Sequence, residues 1–122
     1  MLLDASATRS TLSAGTLIGD SVNNRAGENV GSLKDIMLDL ESGHIAYAVV
    51  SCGGFLGMGE KLFAVPWNAL ELDSVNHALI FDVDRERLMQ APGFDKDNWP
   101  DMSDRTWGLS VHEFYGTRPY WE

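Results

Sequence analysis

The chain has 122 residues, 44% hydrophobic and 22% charged, with eighteen acidic against nine basic side chains and a formal net charge of −9. That length suits a single domain able to hide roughly two-thirds of its unfolded surface. The nine scattered cations argue against nucleic acid and against anionic membrane surfaces, both of which call for lysines and arginines to displace counterions.

One cysteine, Cys52, permits no intrachain disulfide. The first twenty residues lack the basic and apolar regions of a signal peptide, and no stretch approaches the ~20 apolar residues of a membrane span. A cytoplasmic protein without membrane insertion or direct nucleic-acid contact is therefore expected.

In chain order, residues 1–13 are small and polar and are expected to be loosely held. Residues 16–22 (TLIGDSV) read as a short strand, followed by a turn rich in Gly and Asn. Residues 30–41 alternate with period two, Ile36, Leu38 and Leu40 on one face and Asp35, Met37, Asp39 and Glu41 on the other, as in a half-buried strand. After Ser42-Gly43, residues 44–51 are apolar on both faces and β-branched, as in a central strand. Residues 61–72 form another strand with Phe63, Val65 and Trp67 on one face, ending, bulging or lying on an edge at Pro66. Residues 78–83 form a further strand.

The period then changes. Residues 84–90 predict a short helix capped by Asp84 and stopped before Pro92. A linker covers residues 91–102, and a second helix starts near Ser103. In that helix Trp107, Val111, Phe114 and Tyr115 share one face, and Gly116 ends it. Five strands joined by turns predict an antiparallel sheet, and two-faced strands of this length favour a small, partly closed barrel.

Residues 52–61 (CGGFLGMGEK) pose the choice between a phosphate cradle and a hairpin loop. A Walker loop needs Gly-Lys-Ser/Thr leading into a helix, but Glu60 separates Gly59 from Lys61, Leu62 takes the hydroxyl position and a strand follows. The dinucleotide fingerprint fails at the same Leu62. The hairpin is the better reading, with Phe55, Leu56 and Met58 as a lid or an adhesive patch.

Residues 19–39, with the pattern G-x-x-V-x-N-x-x-G-E-x-x-G-x-L-x-D-I-x-L-D, and residues 59–67, GEKLFAVPW, resemble the PRC-barrel domain family, named after the cytoplasmic domain of the photosynthetic reaction centre H subunit. The APGFD segment, residues 91–95, resembles stand-alone bacterial members. The resemblance covers residues 14–94 and implies a small β-barrel of five or six strands with short C-terminal helices. It implies an adaptor or scaffold that docks onto a larger assembly, not an enzyme, and it supplies no cofactor. A ribosome maturation factor carries a similar barrel, which makes a ribosome-associated adaptor the alternative function. Residues 95–122 form an aromatic extension outside the match.

No residue set specifies a reaction. His44, His77 and His112 lie on separate elements without ligand spacing and read as turn or surface histidines. The acidic stretch from Asp95 to Asp104 breaks the calcium-loop pattern at Trp99 and Pro100 and reads as a solvated linker with capping aspartates. Asp35 and Asp39 share a strand face but lack the water-poor pocket that acid–base work needs. A small-ligand or metal-binding protein therefore has only weak support. The candidate interaction surface comprises Phe55, Leu56, Met58, Trp107, Tyr115 and Trp121, with self-association, as a dimer, the expected state.

Overall fold

The computed structural model describes residues 11–53, 60–73 and 75–122. Six strands form one sheet: β1 (Ser21–Asn23), β2 (Asn29–Leu38), β3 (Ile45–Cys52), β4 (Lys61–Pro66), β5 (Leu70–Asp73) and β6 (Ala78–Phe81). Their order is β4-β3-β2-β1-β6-β5. Three helices complete the described elements: α1 (Ala14–Leu17), α2 (Arg85–Gln90) and α3 (Arg105–Tyr115).

The connectivity makes the sheet curl. β4 and β5 occupy opposite edges, yet only the tight helical turn Trp67–Ala69 joins them. A flat six-stranded sheet would separate its edge strands by about 24 Å. Three residues reach at most ~11 Å, so the edges must approach and the sheet becomes a half-barrel. The expected small β-barrel is thus present. The one departure from the antiparallel expectation is the β1–β6 pair, which runs parallel with Ser21 beside Ala78 and Asn23 beside Ile80. Strands β2 to β5 supply the long connection a parallel pair requires.

Several boundaries differ from the sequence expectation, each for a local reason. Residues 16–22 are not one strand: a helical turn ends at Leu17, Gly19 takes φ +95°, and pairing begins only at Ser21. Residues 61–72 are split where Pro66 ends β4. The glycine-rich segment joins antiparallel neighbours, with Cys52 opposite Lys61, so it is the connection of a hairpin.

Strict alternation fails within β2, since Val30, Leu33 and Ile36, three residues apart, all pack inward. The register with β3 shifts between Leu33 and Asp35 and again between Met37 and Leu38. Leu38 and Leu40 run past the end of the barrel into solvent, 59% and 92% exposed, so their expected burial is corrected.

Two cores result. Val22, Leu33, Val50, Phe63, Val65, Leu79 and Phe81 fill the barrel, with Leu88 of α2 closing it. On the outer face of β3 and β4, Ala46, Tyr47 and Ala64 pack against Val111 of α3. This explains the two-faced sequence of β3: one face meets the barrel interior, the other a helix. Phe94 forms an isolated bridge with Leu62 (N···O 2.8 and 2.9 Å), covering part of the exposed edge of β4.

Candidate docking surface

The family-like motifs turn out to hold turns and strand contacts. Asn24 is buried, and its side-chain oxygen accepts from the backbone N–H groups of Ala26 and Glu28 at 3.1 and 2.9 Å. Its amide nitrogen donates to Val83 O at 3.3 Å, tying the β1–β2 turn to the chain beyond β6. Asp39 closes the β2–β3 turn by accepting from the Ser42 hydroxyl at 2.9 Å and the Glu41 N–H at 3.1 Å. The Ser42 bond first, then the Glu41 N–H, hold its carboxyl below the usual range.

The second motif behaves alike. Glu60 accepts from the Ser51 hydroxyl at 2.5 Å, joining the start of β4 to β3. Gly93 permits the Phe94 bridge, because a Cβ there would lie 2.9 Å from the Leu62 carbonyl.

The C-terminal extension makes a packed aromatic seam. Asp104 caps α3 through a bond from Thr106 N at 2.9 Å, and Gly116 ends the helix at φ +70°. The Tyr47 ring meets Trp107 at 5.2 Å and Tyr120 at 5.7 Å between centroids, both edge to face. Trp121 packs on His112 at 5.5 Å and under the Arg105 guanidinium at 5.1 Å. Tyr115 bridges both cores and meets Phe81 at 5.5 Å. Burial pushes the Tyr47 and Tyr115 hydroxyls well above their ordinary pKa.

Of the candidate interaction residues, Trp107, Tyr115 and Trp121 are thus half-buried within the chain's own fold, whereas Phe55, Leu56 and Met58 lie outside the described residues. His112 corrects the expectation of a surface histidine: it is 1% exposed on the inner face of α3, with Nδ1 2.8 Å from Gly108 O. His44 and His77 are exposed in turns. The expected capping role of the acidic stretch is seen at Asp104, while Asp101 holds the preceding turn by accepting from the Ser103 hydroxyl and N–H. Among the described residues no group of three His, Cys, Asp or Glu side chains is placed to hold a metal ion.

What the sequence reading missed is a groove at the open end of the outer core. Met37, Leu38 and Leu40 from the β2–β3 hairpin face Met102 and Tyr120 from the extension across a cavity of about 460 Å³. Asp39, Glu41 and Asp101 rim it, and no Lys, Arg or His lines it among the described residues. Burial first, then the charge of Asp39, raise the pKa of Tyr120, while the Arg105 charge acts in the opposite direction. Apolar residues inside a turn that already holds Asp39 and Ser42-Gly43 were the signal in the sequence. Strict alternation assigned them to the core instead.

A curled six-stranded half-barrel whose motif residues form its turns defines a small β-barrel domain. The PRC-barrel domain model matches residues 10–88, well over half of the chain, and the chain belongs to this family. No curated protein matches it. Among solved structures, the chain is similar to a protein described as the 16S ribosomal RNA processing protein RimM of Pseudomonas aeruginosa, at 17% identity and a TM-score of 0.43. The likeness covers 66% of this chain and 49% of that one, so the chain spans about half the length of that protein. No described helix is long and apolar enough to cross a membrane.

Proposed function

We propose that the chain is a non-catalytic protein-docking module, in which the barrel is a rigid support and the β2–β3 hairpin with the C-terminal extension presents the binding groove. The observation that carries this reading is Leu40, 92% exposed, beside Leu38, 59% exposed, at the mouth of an apolar cavity. Isolated exposed leucines are ordinary, but apolar side chains gathered around a concavity mark interaction sites. The hairpin tip with Phe55, Leu56 and Met58 is a second candidate contact and the place where self-association is expected.

Proximity labelling in the native cell, with wild type and a Leu38→Ser/Leu40→Ser variant compared at equal abundance, tests the reading. A neighbour labelled by wild type and lost with the variant is the expected result. An identical set of neighbours would overturn it. If the lost neighbours are ribosomal proteins, and the chain co-sediments with ribosomal particles, the assembly is the ribosome.

A further inference from the structure

We infer that the groove takes a short segment of another protein that carries apolar anchors between lysines or arginines. This inference rests on the docking reading above and adds the chemistry of the partner.

The lining of the groove is apolar, from Met37 and Met102 inside and the exposed Leu38 and Leu40 at its mouth. Methionine side chains adapt to irregular partners, which suits a site for a linear segment. The rim carries three carboxylates, Asp39, Glu41 and Asp101; no cationic side chain lines the groove among the described residues, and Arg105 in the adjoining recess offsets Asp39 in part, which leaves the rim acidic on balance. Two of these carboxylates accept hydrogen bonds within their turns, Asp39 from Ser42 and Asp101 from Ser103, and these bonds hold both below the usual carboxylate range. Arg105 and His44 lie in the adjoining recess with Glu122, and Arg105 is stacked on Trp121.

Charge selects among the possible occupants. A second copy of the chain brings a net charge of −9 to the same acidic rim. Lipid headgroups and nucleic acid bring phosphate anions. Like charges facing each other cost affinity and slow encounter, whereas a cationic segment gains both. The two exposed leucines supply anchors that a charge-only site would lack.

Selection of short random peptides displayed on phage against the folded chain, followed by titration of the enriched peptides into the isotopically labelled protein by NMR, tests the inference. The expected consensus places two or three apolar residues among lysines and arginines, and the amide shifts concentrate at residues 37–41, Met102 and Tyr120. Glu41→Lys and Leu40→Ser are each expected to weaken the enriched peptide by about tenfold, the size of an interface hot spot, with the near-ultraviolet spectrum of the tryptophans unchanged. Enrichment of neutral or acidic apolar peptides that still need Leu40 would overturn the basic-segment inference and leave the docking reading standing. Basic peptides that ignore Leu40→Ser would show attraction to net charge only and overturn the inference. No peptide dependent on Leu38 or Leu40 would overturn both.

Discussion

The Tyr47 hydroxyl points at Gly108: a Cβ on that glycine would lie 2.7 Å from the Tyr47 oxygen and 3.0 Å from the Trp121 ring. β3 and α3 can pack this closely only because residue 108 has no side chain. Glycine inside a helix ordinarily costs ~1 kcal/mol relative to alanine. Here the packing outweighs that cost, because overfilling a tight site costs ~1–3 kcal/mol. Gly108→Ala is therefore expected to lower stability by about 1 kcal/mol net, by those two terms. Tyr47→Phe removes the crowding atom, so Gly108→Ala in that background should turn neutral or stabilising. Urea unfolding of the four variants of this cycle checks the coupling; additive effects would show that the two residues do not crowd each other.

Asn24 ties the β1–β2 turn to Val83 through three backbone groups. Asn24→Ala leaves those donors and that acceptor to find water in a buried place, at a cost of about 2 kcal/mol. Asn24→Asp keeps the two accepted bonds but loses the donation to Val83 and sets a charge beside Glu28, which Asn24 now bonds at 3.0 Å. Both variants should unfold at lower urea than wild type. A wild-type midpoint for Asn24→Ala would show that the turn forms without this side chain.

The Phe94 bridge protects the edge of β4. Gly93→Val would drive side-chain atoms into the Leu62 carbonyl, 2.9 Å from where even a Cβ would sit, and separate residues 93–94 from the strand. The freed edge offers unpaired backbone groups to other chains. Light scattering over a concentration series should show association beyond that of wild type. Unchanged scattering would mean that the edge is covered by something other than Phe94.

Cys52 is buried among apolar residues, with its thiol on Val30 O at 2.9 Å, and burial pushes its pKa up to about 11. The folded state thus favours the neutral thiol. The stability from this preference is complete below the ordinary value of 9.0 and is lost as pH rises toward about 11. The buried Tyr115 hydroxyl, also held neutral, acts in the same direction at higher pH. Alkylation of native protein near neutrality should be far slower than of unfolded protein, and the denaturation midpoint should fall on the alkaline side. Fast alkylation of the native thiol would contradict the burial.

Self-association is expected through the hairpin between β3 and β4. Phe55→Glu or Leu56→Glu should reduce the oligomer mass seen by light scattering while the circular dichroism stays unchanged. A wild-type monomer, or an oligomer indifferent to both substitutions, would remove that role from the hairpin.

Much of the fold was legible because it rests on near-neighbour rules. The period-two run gave β2, the β-branched run apolar on both faces gave β3, Pro66 marked an interruption that proved to be the end of β4, and Gly116 gave the end of α3. The four-residue apolar face of α3 was legible too: Trp107 and Val111 pack on the outer core, Phe114 on the inner one, and Tyr115 on both. The groove was not legible. Leu38 and Leu40 continue the alternation of Ile36, and that pattern outweighs the turn residues Asp39 and Ser42-Gly43 beside them, the one local sign that they leave the core. His112 was misjudged for the same kind of reason: its ring neighbours are Tyr47, from distant β3, and Tyr120 with Trp121, from the segment that folds back after α3.

By itself the sequence determined most of the strands and the two later helices, the hairpin nature of the glycine-rich loop and the barrel family, because periodicity, turn residues and backbone-limited motifs act over a few residues. Only the tertiary structure decided which face of each strand meets which core, that β1 and β6 run parallel, and that Leu38 and Leu40 stand in solvent beside Met102 and Tyr120. Those outcomes depend on two register shifts and on the curl forced by the Trp67–Ala69 link, and both follow from where distant segments must meet.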